Sequence, residues 1–198
     1  MDSTRFFDVL FSFIGLIVLL PLFIIIAFFI KITSKGPVFY VQYRVGKDEQ
    51  DFKLIKFRSM KVDADKKRSL TIGGRDDRIT VVGYFLRRFK LDELPQLINV
   101  LKGEMSIVGP RPELRKYVEL YSVEQKKVLK VLPGITDRAS IAFRNESDLL
   151  ATTPDPEKFY IEKIIPRKIE LNKLYISNKS LSEYFKIIKR TILISLKG

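Results

Sequence analysis

The sequence predicts a predominantly helical α+β protein whose N-terminal segment enters a membrane. An uncharged apolar stretch covers residues 9–30, two short runs rich in β-branched and aromatic residues follow it, and apolar residues then recur at helical spacing. The chain has 198 residues, enough for one domain of ordinary size besides the apolar segment. We therefore expect a membrane helix over residues 1–33 and one domain over residues 34–198, with a small β-hairpin and amphipathic helices.

The composition restricts the chemistry that the protein can perform. Lys and Arg number 36 against 23 Asp and Glu, and the net charge of +13 suits phosphates, anionic lipid headgroups or nucleic acid. The sequence contains no His and no Cys, which excludes a tetrahedral zinc site, a Ser-His-Asp triad and disulfides. Catalysis must therefore use carboxylates, Lys, Arg, Tyr, Ser or a hard metal ion.

The apolar stretch, VLFSFIGLIVLLPLFIIIAFFI, is long enough for a transmembrane helix, which needs roughly 20 residues. A cleaved signal peptide has a shorter apolar core and a small-residue cleavage site, and the residues before Lys31 do not fit that pattern. Basic residues accumulate after the stretch, from Lys31 and Lys35 to Lys56, which predicts a cytoplasmic domain.

Pro21 lies in the middle of this stretch and predicts a bend, because proline lacks the N–H that would bond to the Ile17 carbonyl. Two topologies agree with a bend. Either a kinked helix spans the bilayer, or a helix-break-helix enters one leaflet and returns to the same side. Considered alone, the apolar length and the short N-terminal tail favour the spanning helix.

The β-rich runs at residues 38–41 and 52–58 predict a hairpin around a polar loop at residues 46–49. Strand alternation places Lys56 and Arg58 on one face, about 7 Å apart. That spacing suits a diphosphate, although cationic side chains on an exposed hairpin are more often simply solvated.

Helices are predicted over most of the remaining chain. Residues 81–90 combine helical spacing of apolar residues with basic ones, and such a helix can lie on headgroups. Apolar residues at helical spacing over residues 94–101 predict a short helix that ends at Gly103. Because proline is tolerated only in the first turn of a helix, Pro95 places the start nearby. Asp92 is then the predicted N-cap, and Glu93 lies in the first turn. A capping box at residues 122–125 predicts a further helix that ends at Pro133.

The C-terminal helix is predicted to begin at a second capping box, residues 180–183. Its apolar side carries Leu181, Tyr184, Phe185 and Ile188, and basic residues are available to the other side. Such a helix either lies in the headgroup plane or packs in the domain core, and the sequence does not distinguish the two.

Asp92 and Glu93 are the candidate catalytic and metal-binding residues. Acidic residues at a helix N-terminus usually only cap it. Here nearby cations would offset their mutual repulsion, a helix N-terminus attracts anions, and Mg²⁺ prefers one or two carboxylates together with substrate phosphate oxygens. The pair therefore predicts Mg²⁺-dependent phosphate chemistry, with Arg87, Arg88, Lys90 and Arg111 as the nearby cations.

Arg111 and Arg144 are candidate phosphate ligands. Pro110 and Pro112 restrict the backbone at Arg111, which suits a bidentate contact to phosphate. A solvent-facing arginine in a helix-entry turn is the plain alternative. Arg144 offers another cation, but its position in space cannot be read from the sequence.

Several motifs in this sequence resemble the bacterial sugar transferase family, the monotopic phosphoglycosyl transferases. They are GPVFYVQYRVG and KFRSM in the hairpin region, DDRITVVGYFLRRFKLDELPQLINVLKGEMSIVGPRPE over residues 76–113, and PGIT over residues 133–136. The motifs follow the family's order and cover most of the chain, and the block around Asp92 is long and specific.

The resemblance implies a function and a site. It implies transfer of a sugar 1-phosphate from a UDP-sugar to polyprenyl (undecaprenyl) phosphate with release of UMP, which initiates cell-surface glycan synthesis. Asp92 would be the nucleophile that forms a covalent phosphosugar intermediate, and Glu93 would help to bind Mg²⁺. The implied donor-binding residues are Lys56, Arg58, Arg87, Arg111, Pro112 and Arg144.

The resemblance also bears on topology and partners. It implies a re-entrant N-terminal helix bent at Pro21, opposite to the preference from the residues alone, and a catalytic domain on the cytoplasmic face of the bacterial inner membrane. Phospholipids would be contacts, nucleic acid would not be a partner, and a homodimer is left open. The sequence departs from the family pattern at Leu20, at Glu49 and at residues 137–140, so the transferred sugar cannot be named.

A different class of protein also agrees with the charge. A membrane-anchored, non-catalytic binding protein would use the basic surface to recruit acidic lipid or nucleic acid. Its binding would fall steeply with salt and would ignore substitutions at Asp92 and Glu93.

Overall fold

A computed structural model describes residues 3–64, 69–73 and 76–196 of the chain. Its fold is mixed α/β and mostly helical, which confirms the predicted class in outline. The described helices, numbered here in chain order, are α1 (Ser3–Val18), α2 (Leu20–Thr33), α3 (Val81–Arg88), α4 (Gln96–Lys102), α5 (Arg115–Val118), α6 (Arg138–Ala142), α7 (Glu146–Ala151), α8 (Pro156–Phe159), α9 (Ile165–Ser177) and α10 (Leu181–Leu196). The strands are β1 (Phe39–Val45), β2 (Asp51–Phe57), β3 (Ser106–Val108) and β4 (Gly134–Thr136).

Shorter helical segments connect these elements. 3₁₀ turns cover Lys47–Glu49, Leu91–Glu93 and Gln125–Lys130, and a π-helical segment, Tyr160–Ile164, leads into α9. The predicted capping box is present, because the Gln125 N–H donates to Ser122 Oγ at 3.2 Å and the Ser122 N–H donates to Gln125 Oε1 at 2.9 Å. The segment that it starts is, however, a 3₁₀ helix that ends at Lys130 rather than an α-helix continuing to Pro133.

The N-terminal segment forms two helices that meet at an angle of 61°. Pro21 is the second residue of α2, so the predicted bend occurs close to it, where the missing N–H breaks the helical hydrogen-bond pattern. Within the part of the chain that the structure describes, no single helix is long and apolar enough to cross a bilayer, whereas the bent pair is, by length and composition. Large apolar side chains near the bend are exposed, including Val18 and Ile24.

A buried polar stripe attaches α1 to the rest of the chain. Thr4, Asp8 and Ser12, spaced one turn apart, are all buried. One oxygen of Asp8, Oδ1, accepts hydrogen bonds from the Ile107 N–H and from the Tyr184 hydroxyl, both at 2.8 Å. The start of α1 is therefore bonded to β3 and α10.

The predicted hairpin is confirmed. Strands β1 and β2 pair antiparallel, with Phe39 opposite Phe57 and Val45 opposite Asp51. Its inner face buries Phe52 and Leu54 against Val100 of α4 and Met105. At its end Phe57 is buried with α2 and α3 side chains, which joins the hairpin to these two helices.

Strands β3 and β4 pair in parallel and bring two glycines together beyond β3. A Cβ atom built on Gly134 would lie 2.1 Å from the Gly109 nitrogen, and one built on Gly109 would lie 2.5 Å from the Leu132 carbonyl oxygen. Only glycine allows such a close backbone approach. Because Pro110 follows directly, this crossing fixes where the Pro-Arg-Pro turn begins.

The C-terminal helix combines features of both sequence-based interpretations. Tyr184 and Ile187 of α10 are buried in a cluster with Val108, as a core helix requires. Ile192 and Leu193 on the same helix are half exposed. The core interpretation is thus confirmed for one side of α10, and contact of the other side with headgroups stays a prediction.

Candidate active site

Asp92 and Glu93 lie in the 3₁₀ turn between α3 and α4, and both are buried. The prediction that Asp92 is the N-cap of the next helix is wrong, since α4 begins at Gln96 with Pro95 in the N-cap position. The reason is local: Pro95 has no N–H to be capped, and the Leu94 N–H is bonded to the Leu91 carbonyl at 3.3 Å. The Asp92 carboxylate is consequently not used for capping, and it lines a cavity of about 1550 Å³.

Arg111 and Lys56 fix the carboxylate of Glu93 from two elements. Arg111 Nη1 donates to Glu93 Oε2 at 3.0 Å, and Nη2 donates to Oε1, so the guanidinium is bidentate. Lys56 Nζ, from β2, donates to Oε1 at 3.2 Å. The structure thus brings together three predicted site residues that lie far apart in the sequence.

The charges of this cluster shift its pKa values in opposite directions. Burial alone would raise the pKa of Glu93, but the positive charges of Arg111 and Lys56 outweigh burial and hold it well below the usual range. Burial lowers the pKa of Lys56 to about 8, against the opposing effect of Glu93. Glu93 is therefore an ionised anchor for the two cations, and Lys56 stays mainly protonated at neutral pH.

Asp92 differs from its neighbour in both partners and pKa. None of the described residues donates a hydrogen bond to its carboxylate. Burial raises the pKa of Asp92, the Glu93 charge raises it further, and Lys56, Arg87 and Lys90 oppose both effects. Two adjacent carboxylates in different environments can take different chemical roles. Here Glu93 binds the protein's own cations, and Asp92 is left for a ligand.

The Pro-Arg-Pro turn is held on both sides of Arg111. On one side, the Arg111 N–H donates to Asp137 Oδ2 at 3.0 Å, and Asp137 is fully buried. On the other side, Glu113 pairs with Arg44 at 3.2 Å and accepts from the Tyr160 hydroxyl. The Arg111 guanidinium is therefore positioned by bonds to its own backbone turn as well as by Glu93.

Sequence reasoning did not assign this supporting role to Asp137 or Glu113. Asp137 stood out only because the family pattern commonly has glycine there. An Asp three residues before Ser140 is a recognisable N-cap, and Asp137 does accept from the Ser140 N–H, but its second bond to Arg111 is a tertiary contact. For Glu113 the only signal was its place in the Pro-Arg-Pro-Glu motif.

The other predicted donor-binding residues, Arg58, Arg87, Pro112 and Arg144, also line the cavity. Arg87 Nη2 donates to Thr71 Oγ1 at 3.0 Å, and the Pro112 carbonyl accepts from Arg44 at 3.3 Å. Whether these residues bind a substrate stays a prediction.

Arg58 has a different orientation from Lys56. Arg58 directly follows β2, its N–H donates to the Val38 carbonyl at 2.9 Å, and the residue is buried. Its Nη2 donates to the Ser34 carbonyl and to Ser34 Oγ, both at 2.9 Å, and its Nη1 donates to the Lys35 carbonyl. The guanidinium that was predicted to face a diphosphate is thus bonded to the chain just after α2.

The acidic pair fits a magnesium ion that binds together with a substrate. Within residues 3–64, 69–73 and 76–196, no group of three or more acidic side chains could form a complete metal cage. Mg²⁺ commonly uses only one or two carboxylates and completes its octahedron with phosphate oxygens and water. Asp92 oxygens that accept no hydrogen bond from the described residues would be available for this purpose, while Glu93 would share its carboxylate with Arg111 and Lys56. The large cavity combines this acidic pair with several cationic side chains, an arrangement that suits phosphate-bearing ligands.

Comparison with known proteins identifies the family. The family model for bacterial sugar transferases matches residues 2–198. The chain is 44% identical over 134 residues to a Bacillus subtilis protein provisionally named as an undecaprenyl-phosphate N-acetylgalactosaminyl 1-phosphate transferase, covering 68% of this chain and 71% of the relative. The chain belongs to the bacterial sugar transferase family, and it is a transferase enzyme.

Two longer relatives match almost the whole chain. A UDP-glucose:undecaprenyl-phosphate glucose-1-phosphate transferase of Klebsiella pneumoniae is 42% identical over 97% of this chain, which spans 40% of that relative. A UDP-N-acetylgalactosamine-undecaprenyl-phosphate N-acetylgalactosaminephosphotransferase of Aeromonas hydrophila is 36% identical over 98% of this chain, which spans 44% of that relative. The chain therefore covers less than half the length of these two. The comparisons favour an enzyme over a non-catalytic binding protein.

Proposed function

We propose that this enzyme transfers a sugar 1-phosphate from a UDP-sugar to undecaprenyl phosphate and releases UMP, as the first membrane step of cell-surface glycan synthesis. The names of the relatives support this donor and acceptor class. The observation that carries the mechanism is the asymmetry of the acidic pair: Glu93 is bound by Arg111 and Lys56, and the adjacent Asp92 has no hydrogen-bond donor among the described residues.

The reaction is proposed to proceed in two displacements on the same phosphorus atom. An Asp92 carboxylate oxygen attacks the β-phosphorus of the donor, an O–P bond forms, and the bond from that phosphorus to the bridging oxygen breaks. UMP leaves with the electron pair. A phosphate oxygen of undecaprenyl phosphate then attacks the aspartyl phosphosugar, the new diphosphate bond forms, and the carboxylate is released unchanged.

The chemistry needs no histidine. An ionised carboxylate has no proton to lose before it attacks, and UMP departs as a stabilised anion. When bound, Mg²⁺ would be held by Asp92 and Glu93 with donor phosphate oxygens and would withdraw charge from the diphosphate. Arg111 and Lys56 are fixed in place before the donor arrives, so their charges oppose the developing negative charge without reorganisation.

The donor is proposed to bind through the basic residues around the pair. Lys56, Arg87 and Arg111 are close enough to the acidic pair to affect its pKa values or to bond to it. Arg144 and Pro112 line the same cavity and are proposed to contact the rest of the nucleotide sugar. Family resemblance predicts that Arg58 also contacts the donor, although its guanidinium is bonded to the residues just after α2.

The bent helix pair is proposed to be re-entrant, with both ends on the cytoplasmic face of the bacterial inner membrane. Asp8, near the start of α1, is bonded to β3 and α10, and Arg58 is bonded to the residues just after α2. Both ends are therefore attached to the same body of the protein. The exposed apolar side chains near the bend, such as Val18 and Ile24, would lie in one leaflet with phospholipid.

Mass spectrometry of the purified enzyme tests this mechanism. We expect a phosphosugar adduct on Asp92 when the enzyme is mixed with Mg²⁺ and a turned-over UDP-sugar in the absence of the acceptor, and loss of the adduct when undecaprenyl phosphate is added. Asp92→Asn should form no adduct, whereas Asp51→Asn, which changes an exposed carboxylate on the hairpin, should react normally. Healthy turnover without any modified protein would contradict the covalent route.

A further inference from the structure

One wall of the cavity contains buried polar atoms that have no partner among the described residues. Asn172 of α9 is only 5% exposed, and its Oδ1 accepts no hydrogen bond from them. The Oγ of Ser140 in α6 is also buried without a partner. Both residues line the cavity. Burying an amide or a hydroxyl without a hydrogen bond is unfavourable, so such atoms in a cavity wall are candidates for hydrogen bonds to a bound ligand.

This wall is directly connected to the catalytic turn. Asp137 accepts from the Arg111 N–H through one carboxylate oxygen at 3.0 Å and from the Ser140 N–H through the other. Ser140 is therefore separated from Arg111 by a single carboxylate. Because Arg111 also bonds to Glu93, a continuous set of hydrogen bonds joins the start of α6 to the acidic pair.

The other groups on the wall do not suit a nucleobase or a phosphate. The rings of Tyr117 and Tyr160 pack edge to face, and Lys116 and Lys168 lie over them, so both rings already have partners. Lys168, one turn before Asn172 on α9, is paired with Glu146 and lies 5.1 Å from the centre of the Tyr160 ring. Its charge is thus already neutralised, and the free groups are an uncharged amide and a hydroxyl.

We propose that Asn172 and Ser140 form the subsite that binds the sugar ring of the donor. This inference rests on the proposed function, and it names the part of the UDP-sugar that each wall of the cavity recognises. An amide both donates and accepts hydrogen bonds, and a hydroxyl does the same, which suits a ring carrying several hydroxyl or acylamino groups. The basic residues near Asp92 bind the diphosphate, and this uncharged wall discriminates among sugars.

Steady-state kinetics of the full chain in nanodiscs tests the subsite. The wild type is first assayed for UMP release with a panel of UDP-sugars to find the preferred donor, and then with analogues of that donor lacking one hydroxyl or acylamino group. For Asn172→Leu and Ser140→Ala we expect kcat/KM with the preferred donor to fall about threefold to tenfold. For the analogue that lacks the group bound by the substituted side chain, the ratio of kcat/KM between the preferred donor and that analogue should shrink by the same factor. Inhibition by UDP should not change, because UDP lacks the sugar.

Two controls separate recognition from structure. Asn178→Leu makes the same substitution at the exposed end of α9 and should leave the sugar preference unchanged. The unfolding temperature of Asn172→Leu should match that of the wild type, because none of the residues that the structure describes bonds to Asn172 Oδ1. Ser140→Ala provides an independent measurement should Asn172→Leu fold poorly.

The possible results distinguish the subsite from the enzyme's function. Normal wild-type turnover with unchanged sugar discrimination in both variants would overturn the subsite alone. An equal loss of UDP inhibition and donor kcat/KM would assign the wall to the nucleotide and would also overturn it. If the wild type released UMP from no UDP-sugar, the proposed function would fail, and the subsite with it.

Discussion

Arg111 and Glu93 form a bidentate ion pair across 18 residues of sequence, with Nη1 bonded to Oε2 at 3.0 Å and Nη2 bonded to Oε1. The pair orders a guanidinium beside Asp92 before any substrate binds. Because Lys56 bonds to the same Glu93 carboxylate at 3.2 Å, one acidic residue positions two cations from different elements.

Loss of the bidentate Arg111 guanidinium should lower the rate of UMP release more than it lowers the stability of the fold. We expect Arg111→Ala to reduce kcat/KM for UMP release by about 10²- to 10³-fold, the usual effect of removing a preorganised charge from the reacting centre. Arg111→Lys keeps the charge but not the two-pronged geometry, and it should recover only part of the loss. Full activity of Arg111→Lys would mean that charge alone matters. Arg138→Ala, which removes a surface pair with Glu183, is the matched control.

Arg58 should act mainly through the chain after α2. Arg58→Lys removes most of the bonds to Ser34 and Lys35 while keeping a positive charge. We expect a lower unfolding temperature and a donor KM within about twofold of the wild-type value, because the guanidinium is not directed at the acidic pair. A large rise in donor KM with unchanged thermal stability would instead support the donor contact implied by family resemblance.

The polar stripe on α1 supplies a stability test with an internal control. Asp8→Ala leaves the Ile107 N–H and the Tyr184 hydroxyl without their acceptor, and we expect it to cost about 1–3 kcal/mol of unfolding free energy. Ser12→Ala, one turn further along, removes a buried hydroxyl that has no hydrogen-bond partner in the described part of the chain, and it should be neutral or slightly stabilising. Equal destabilisation by both substitutions in thermal unfolding assays would refute the anchoring role of Asp8.

The topology can be measured because the sequence contains no cysteine. In cells, a cysteine introduced as Asp2→Cys should be shielded from a membrane-impermeant thiol reagent added outside and should react after the membrane is permeabilised. This result is expected for a re-entrant helix pair, whose ends share the cytoplasmic side. Labelling of intact cells would restore the spanning helix that the apolar length alone favours.

Stability should fall at high pH as the buried tyrosines ionise on unfolding. Burial raises the pKa of Tyr117 to about 12, above the value near 10 of an exposed tyrosine. The stabilisation is complete below pH 10 and is lost as the pH rises towards 12, at up to about 1.4 kcal/mol per pH unit for this residue. The stability gap between the wild type and Tyr117→Phe should therefore narrow from pH 9 to pH 12. A constant gap would contradict the raised pKa.

The local sequence signals were the ones that predicted structure well. Gly103 ends α4 with a φ of 85°, as a glycine stop should, and the β-branched runs form the hairpin in register. Asp92 was misassigned as a helix cap because the capping pattern does not reveal that Pro95 and the 3₁₀ turn remove the N–H groups to be capped. Because the Asp92 carboxylate does not cap a helix, it is available to line the cavity.

The tertiary relationships could not be obtained from patterns. The contacts of Asp8 with β3 and α10 join residues nearly a whole chain apart, and a lone acidic residue before an apolar helix gives no indication of them. The orientation of Arg58 could not be predicted either, because it depends on hydrogen bonds to Ser34 and Lys35. The acidic pair itself was found from the sequence, but the division of roles between Asp92 and Glu93 depends on the folded positions of Arg111 and Lys56.

The close approach of Gly109 and Gly134 limits which natural variants can be active. Every missense change at either codon adds at least one carbon, and a carbon at Gly134 would meet the facing backbone at 2.1 Å. The strands would have to separate, and the guanidinium one residue beyond Pro110 would move away from its carboxylate. We therefore expect inherited sequence variation at these two codons to be confined to synonymous changes.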